Sequence, residues 1–164
     1  MPLHIEIPGR DPLDLRHLVC DLNGTLSLDG VLLDGLADRI AQLAQQFTIH
    51  LVTADTYGTL ESVMQQLAAA CAALNVEAPT HTRVTAGEEK EQFVRQLGAD
   101  GVVALGNGRN DMQMFSVAAL GICVLGPEGT YVKALQAADI VVPSPHEGLD
   151  LLLHPKRLIA TLRF

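Results

Sequence analysis

The chain has 164 residues, of which 48% are hydrophobic and 18% charged, proportions typical of a globular protein with one sizeable core. Lysine and arginine number 11 against 19 aspartates and glutamates, so the formal net charge is −8. An acidic surface repels the phosphates of nucleic acids and anionic lipids. We therefore expect no nucleic-acid partner and no membrane partner, whereas a divalent cation suits this charge.

The apolar windows and the N-terminal segment bear on where the protein works. The first residues are interrupted by Pro2, Pro8 and Pro12 and contain no apolar run, so we expect no signal peptide. The richest apolar window, residues 67–74, is far shorter than the roughly 20 residues that span a bilayer. The three cysteines are too few and too scattered for a disulfide framework. We predict a cytoplasmic protein.

Short β-branched runs alternate with longer helical patterns along the chain, which is typical of a parallel sheet covered by helices. A weakly alternating segment, residues 4–7, and a turn come first. Asp29-Gly30 indicates a hairpin, Asp34 is predicted to cap a helix, and Thr85 to Glu88 have capping-box spacing. The strands are predicted at residues 15–21, 47–53, 101–105, 122–125 and 140–142, with an extended piece at 76–84. The helices are predicted at residues 34–46, 58–74, 85–98, 110–119, 130–138 and 148–162.

Five core strands separated by helices predict an α/β fold: an open, doubly wound, Rossmann-like parallel sheet with helices on both faces. We predict that residues 1–164 form a single domain. Residues 1–16 are then an N-terminal extension or an edge strand. Residues 148–164 are a C-terminal helix, which Pro155 is expected to kink or break.

In sheets of this kind a ligand binds outside the carboxyl ends of the strands. The residues that follow the first three predicted core strands supply carboxylates, hydroxyls, carboxamides and glycines: Asp21-Leu22-Asn23-Gly24-Thr25, Thr53-Ala54-Asp55, and Gly106-Asn107-Gly108-Arg109-Asn110-Asp111. Oxygen ligands suit a hard cation, and glycines let backbone amides approach an anion. The pattern therefore predicts a site for a phosphate and a divalent cation.

The same segments resemble the motifs of the haloacid dehalogenase superfamily. HLVCDLNGTL (residues 17–26) resembles its first motif, LVTADTYGT (51–59) its second, and LGNGRNDMQMF (105–115) its fourth motif in the GDGxND form. Lys90 stands where the third motif has its lysine. The order and spacing match over roughly residues 18–140, and the similarity is greatest to small soluble members that resemble P-type ATPases.

This resemblance implies a haloacid-dehalogenase-type sheet and a role for each matching residue. Asp21 is the implied nucleophile, which forms an aspartyl-phosphate and so divides one difficult displacement into two. Thr53, Ala54 and Lys90 are the implied ligands of the phosphoryl oxygens, and Lys90 also offsets the charge of Asp21. Gly24 and Thr25 are expected to shape the loop, with their amides facing the phosphate.

The cofactor that the resemblance implies is Mg²⁺. Its ligands would be the Asp21 carboxylate, the backbone carbonyl of Asn23, and Asn107 and Asp111 of the fourth motif, with waters completing six oxygens. Asn107 departs from the family's pattern, which has an acid at that position. Because an amide oxygen is a weaker ligand than a carboxylate, we expect weak Mg²⁺ binding.

Asn23 is the second departure from the family's pattern. The family usually has an aspartate there, which protonates the leaving oxygen and then activates water, and an amide cannot exchange a proton near neutral pH. General acid–base help is worth roughly 10²–10⁴-fold in rate. We therefore expect a slow, Mg²⁺-dependent phosphatase-like hydrolase. The alternative is a weak or inactive module of the same fold that binds or regulates.

Each candidate residue also has a purely structural interpretation. Lys90 could be solvated on a helix face, since Glu88, Glu89 and Glu91 surround it with partners. Asp111 could complement a helix dipole. Further alternatives are a turn cap for Asp21, a strand-end hydroxyl for Thr53, a helix N-terminal acid or a site residue for Asp55, and a surface position or a substrate-anion contact for Arg109.

The resemblance also bears on partners. Relatives differ in substrate mainly through a cap domain, and neither residues 24–47 nor residues 57–90 have room for one. Capless members oligomerise or act on large substrates, either of which keeps water from the site. The expected partners are a small phosphorylated substrate or a phosphoprotein, and a homo-oligomer that closes the site.

Overall fold

The computed structural model describes residues 1–84 and 86–164, so the predicted capping box at Thr85 lies outside the described residues. The strands are β1 (Leu3–Ile5), β2 (Leu13–Leu15), β3 (His17–Asp21), β4 (Ser27–Leu28), β5 (Val31–Leu32), β6 (Thr48–Thr53), β7 (Thr80–Arg83), β8 (Val102–Gly106), β9 (Leu120–Val124) and β10 (Ile140–Val142). The helices are α1 (Leu36–Leu43), α2 (Leu60–Ala73), α3 (Gly87–Leu97), α4 (Met112–Val117), α5 (Val132–Ala137), α6 (Pro145–Leu153) and α7 (Pro155–Leu162). Single 3₁₀ turns occupy Ala99–Gly101 and Arg109–Asp111.

The central sheet has the strand order β10-β9-β8-β3-β6-β7, and all its neighbouring strands are parallel. From β3 the chain first builds outward through β6 and β7, then returns to the other side of β3 for β8, β9 and β10. The order therefore reverses between β3 and β8, and a reversal of this kind opens a crevice at the carboxyl ends of the strands. The predicted doubly wound α/β sheet is confirmed.

The sheet has six strands where five core strands were predicted. The additional strand is β7, which pairs with β6 from His50↔Thr80 to Thr53↔Arg83. Its four residues are polar and mostly exposed, as at a sheet edge. An edge strand without buried apolar side chains has no hydrophobic alternation, so the sequence indicated only an extended piece.

Two hydrophobic clusters cover the two faces of the sheet. The larger contains residues from α1, α2, α6 and α7, and the smaller contains residues from α3, α4 and α5. Side chains alternate between faces along each strand: Leu18 and Cys20 of β3 lie in the larger cluster, and Val19 between them lies in the smaller. Asp21, two residues beyond Val19, therefore points to the face that α3 covers.

The two ends of the chain refine the prediction. In the part of the chain that the structure describes, β1 and β2 pair only with each other, as an antiparallel unit outside the main sheet. The N-terminal segment is there an extension and not an edge strand of that sheet. The predicted C-terminal helix is two helices that break at Pro155, as its ring requires. The first of them begins at Pro145, because the Ser144 hydroxyl accepts from the N–H of Glu147 and caps it.

Near the site, the hairpin is confirmed and two helix boundaries differ. β4 and β5 pair antiparallel, and both Asp29 and Gly30 have positive φ, as a two-residue hairpin turn needs. Asp34 does not cap α1: the capping position is Gly35, at φ 82°. The helix predicted from residue 110 is a 3₁₀ turn followed by the short α4. In the described part of the chain, no helix combines the length and hydropathy needed to cross a bilayer.

Candidate active site

The candidate site lies where the strand order reverses. Asp21 is the last residue of β3, Thr53 is the last of β6, and Asn107 directly follows β8. Because β3 pairs in parallel with both β6 and β8, these three residues lie together at the carboxyl ends of the strands. Lys90 and Asp111 reach the same strand ends from α3 and from the 3₁₀ turn before α4.

A buried lysine joins two aspartates at the centre of the site. Nζ of Lys90 donates to Oδ1 of Asp21 across 3.0 Å and to Oδ1 of Asp111 across 2.8 Å. Lys90 and Asp111 are fully buried, and Asp21 is 6% exposed. Lys90 is therefore not solvated on a helix face, although three glutamates are its neighbours in the sequence.

Burial sets the protonation of these groups. Burial first, and then the negative charge of Asp111, raise the pKa of Asp21 to about 7, although Lys90 opposes the shift. Burial alone would lower the pKa of Lys90, but the charges of Asp21 and Asp111 outweigh it and the pKa lies above its usual value. Lys90 is thus a stable cation, and the ionised form of Asp21 is less favoured than that of an exposed aspartate.

Asp111 is held by the backbone that precedes it. Its Oδ2 accepts from the N–H of Asn107 across 2.9 Å and from the N–H of Gly108 across 3.0 Å, while Oδ1 accepts from Lys90. A Cβ on Gly106 would lie 2.5 Å from Cγ and Oδ2 of Asp111. The glycine that ends β8 therefore makes room for the carboxylate that orients Lys90.

Asn107 connects the loop after β3 with the loop after β9. The opening between these two loops is the mouth of the site. Its Oδ1 accepts from the Thr25 hydroxyl across 3.1 Å, and its Nδ2 donates to the Gly129 carbonyl across 3.1 Å. One of the two lone pairs of the oxygen is thus already engaged. A Cβ on Gly24 would lie 2.8 Å from Nδ2 of the same amide, so only glycine allows this approach.

The backbone amides of the loop after β3 donate hydrogen bonds within that loop. The N–H of Gly24 donates to the Ser27 carbonyl across 2.9 Å, and the N–H of Thr25 donates to the Leu22 carbonyl across 3.2 Å. These residues shape the loop as expected, but their amides do not face outward toward a phosphate, because a turn this tight needs them for its own hydrogen bonds. The side chain of Asn23 accepts a long bond, 3.4 Å, from the Ser27 hydroxyl.

Thr53 and Asp55 have different surroundings. Oγ1 of the buried Thr53 accepts from the N–H of Asp55 across 3.0 Å, which leaves its hydroxyl proton to donate elsewhere. The Asp55 carboxylate accepts from the N–H of Leu60 at the start of α2 and from Arg83 of β7. Of its two interpretations, Asp55 thus follows that of a helix N-terminal acid. Ala54 lies half-buried between them.

The donor set is sparse for a metal ion. Among the described residues, no group of three or more histidine, cysteine, aspartate or glutamate side chains is arranged to hold one. Mg²⁺ often binds through one or two carboxylates, with substrate phosphates and waters completing its shell. Asp21 fits that pattern, because it lies at the edge of the sheet and Lys90 uses only part of its acceptor capacity. Asp111 is less available, since three donors already reach it.

Solved structures share this architecture. A protein of Legionella pneumophila assigned to subfamily III A of the HAD superfamily of hydrolases superposes with a TM-score of 0.63, at 18% identity over 90% of this chain and 86% of that one. The chain has the haloacid dehalogenase (HAD) fold. Two HAD-fold phosphatases extend the comparison. The cobalt-bound deoxy-D-mannose-octulosonate 8-phosphate phosphatase of Haemophilus influenzae gives 0.62 at 16% identity, over 90% of this chain and 92% of that one. A phospho-aspartyl intermediate analogue of phosphoserine phosphatase gives 0.62 at 12%, over 85% and 98%.

Sequence comparison gives a nearer relative of this HAD-fold chain. An uncharacterized protein of Methanocaldococcus jannaschii is 48% identical over 62 residues, which are 38% of this chain and 67% of that protein. The two proteins belong to one family. No protein-family model matches the chain.

Two further charged residues, Arg109 and Glu128, lie on the segments that follow β8 and β9. Arg109 is exposed and lines a cavity of about 430 Å³ with Glu88, Asn110 and Gln113. Glu128 lies on the loop after β9, and its Oε2 is 2.5 Å from the position that a Cβ on Gly24 would occupy. None of the sequence motifs indicated Glu128. The rule that the residues after each strand line the site, applied to β9 as well as to the three central strands, would have found it.

Proposed function

We propose that the protein is a slow phosphatase-type hydrolase that uses Mg²⁺ and transfers the phosphoryl group of its substrate to Asp21. The observation that carries the proposal is the buried arrangement of Lys90 between Asp21 and Asp111. A buried lysine with two buried carboxylates costs folding free energy. This cost is explained if the carboxylate of Asp21, at the carboxyl end of β3, has to react with a substrate.

In the first step of the proposed reaction, a carboxylate oxygen of Asp21 attacks phosphorus and the bond to the leaving oxygen breaks. Lys90 holds Asp21 in place and offers positive charge to the phosphoryl oxygens. The Thr53 hydroxyl, which is oriented by the N–H of Asp55, donates to one of those oxygens. The half-buried Ala54 is the proposed source of a backbone amide for the same group.

Charge balance supports the cofactor. The two aspartates and Lys90 sum to −1 when all are ionised, and this repels a dianionic phosphate. Asp21, the Asn23 carbonyl and, more weakly, Asn107 and Asp111 are the proposed ligands of Mg²⁺. When bound, the ion supplies positive charge to the phosphoryl oxygens. It also favours the ionised form of Asp21, whose pKa burial raises to about 7.

A panel of phosphate esters tests the proposal, with wild type and Asp21→Asn assayed with Mg²⁺ and with a chelator. We expect hydrolysis that needs Mg²⁺ and falls at least 10³-fold in the variant. Beryllium fluoride with Mg²⁺, a mimic of the phosphorylated carboxylate, should raise the Tm of wild type and leave that of Asp21→Asn unchanged. No hydrolysis, together with no Tm shift in either protein, would contradict the proposal and favour a module that only binds or regulates.

A further inference from the structure

The carboxylate of Glu128 lies over the loop that carries Asn23. Its Oε2 is 2.5 Å from the position of a Cβ on Gly24, the residue after Asn23. The Nδ2 of Asn107 is 2.8 Å from the same position. Glu128 therefore lies beside the loop that begins at Asp21 and on the side of that loop where Asn107 is packed.

Two other segments hold this carboxylate at the mouth. Its Oε1 accepts from the Tyr57 hydroxyl across 3.4 Å and from the N–H of Asp29, at the tip of the β4–β5 hairpin, across 3.5 Å. The negative charge of Glu128 raises the pKa of Tyr57, which keeps that hydroxyl a donor. Both bonds are long and Glu128 is exposed, so a substrate can displace them.

The carboxylates at the centre of the site cannot serve for proton transfer. Asp21 and Asp111 are both bound to Lys90, and Asn23 carries an amide. Glu128 takes part in no ion pair among the described residues. A protonated carboxyl at the mouth is what a departing oxygen requires.

We propose that Glu128 is the acid–base residue of the reaction and performs, from the loop after β9, the proton transfers that Asn23 cannot. The inference rests on the proposed phosphatase function. In the first step the Glu128 carboxyl gives its proton to the leaving oxygen as the bond from that oxygen to phosphorus breaks. In the second step water attacks phosphorus and its proton passes to Glu128, the bond from phosphorus to Asp21 breaks, and inorganic phosphate leaves.

Glu128→Gln tests this role, with Tyr57→Phe as the matched control that keeps the carboxylate and removes one of its contacts. We expect kcat/KM of Glu128→Gln to fall about 10²-fold or more for an alkyl phosphate, within the range of general acid catalysis. The fall should be less than about 5-fold for 4-nitrophenyl phosphate, whose leaving group needs no proton. Tyr57→Phe should change both values less than about 5-fold. Equal losses for both esters, or equal losses in the two variants, would mean that Glu128 only holds the mouth together.

Two further measurements separate this inference from the proposed function. In Glu128→Gln, 4-nitrophenyl phosphate should give a burst of about one nitrophenol per site, because the aspartyl-phosphate forms and then waits for a base. Adding Asn23→Asp to Glu128→Gln should restore activity on the alkyl ester by at least 10-fold. If Asp21→Asn abolishes hydrolysis while Glu128→Gln shows neither the burst nor the rescue, the Glu128 role is wrong and the phosphatase function stands. If Asp21→Asn hydrolyses as wild type does, both are wrong.

Discussion

Nζ of Lys90 lies 2.8 Å from Oδ1 of Asp111, and both side chains are fully buried. In the sequence they are 21 residues apart, and each has a common surface role available, a solvated lysine or a first-turn acid. The fold instead removes both from water and pairs them in a buried salt bridge. The stability of the molecule and its proposed chemistry therefore depend on the same pair.

Removing either member of this pair should destabilise the protein strongly. Lys90→Met leaves two buried carboxylates without a cation. Asp111→Asn removes the buried carboxylate that accepts from Lys90 and from the N–H groups of Asn107 and Gly108. Each change should cost about 3–5 kcal/mol. The double variant should cost less than the sum, with a coupling of about 1–3 kcal/mol. Urea unfolding of the four proteins measures this. Additive losses would show that the two side chains do not depend on each other.

Asp21→Asn should have the opposite effect on stability. The pKa of Asp21 is raised from 3.8 to about 7 on folding, so the folded state binds the proton more tightly and stability is lost as the pH rises from about 4 to about 7. The amide removes this loss, and Lys90 keeps Asp111 as its partner. We expect a Tm about 4 °C above wild type at pH 8, which corresponds to about 1 kcal/mol in a chain of this length.

The gain in Tm should be small at pH 4, where Asp21 is protonated in the folded state and about half protonated in the unfolded state. Asp11→Asn, at an exposed position, is the matched control and should change Tm little at either pH. A gain of equal size at pH 4 and pH 8 would mean that the ionisation of Asp21 is not its cause.

Gly106→Ala should disturb the site from within β8. The new Cβ would lie 2.5 Å from the Asp111 carboxylate, so the carboxylate has to move away from Lys90. We expect a loss of about 1–3 kcal/mol, typical of overpacking, and a lower kcat. Gly101→Ala is the control, because its nearest neighbour would be 3.5 Å away. If Gly106→Ala were as stable and as active as Gly101→Ala, the absence of a side chain at Gly106 would not be what makes room for the Asp111 carboxylate.

His50 should limit stability in acid. Its Nε2 lies 3.2 Å from Nδ1 of His17, and burial, together with the charge of His17, lowers the pKa of His50 to about 4. The unfolded chain then binds the proton more readily, so stability is lost as the pH falls from about 6.5 to about 4. Ionisation of Asp21 changes the stability in the opposite direction between about pH 4 and pH 6.5. The free energy of unfolding of Asp21→Asn should therefore decrease as the pH falls, and adding His50→Gln should reduce this pH dependence. Adding His81→Gln instead should leave it unchanged. Urea unfolding at several pH values measures all three proteins.

Much of the fold followed from the sequence because its strands are apolar and its turns are explicit. The run before Asp21, the hairpin at Asp29-Gly30 and the break at Pro155 were all predicted where the structure has them. β7 was missed as a strand because its polar residues lack alternation, and Asp34 was predicted as a cap that Gly35 supplies. Local pattern cannot report on tertiary pairing at a sheet edge.

The site was predicted by residue type and only partly by geometry. The motifs indicated that Asp21, Lys90 and Asp111 would meet, and the structure brings them within hydrogen-bonding distance. They did not indicate that the amides of Gly24 and Thr25 are used inside the loop, or that Glu128 reaches the mouth. Those features depend on how separate loops pack, which a spacing of residues does not record.

The position of Lys90 links α3 to the chemistry of the site. Among the described residues of this helix, Lys90 and Val94 are the buried ones, and Phe93 and Leu97 pack against the smaller hydrophobic cluster. The ion pair between Lys90 and Asp21 is therefore one of the contacts that hold α3 against the sheet. Transfer of a phosphoryl group to Asp21 would change the charge at this contact, and with it the local stability of the helix.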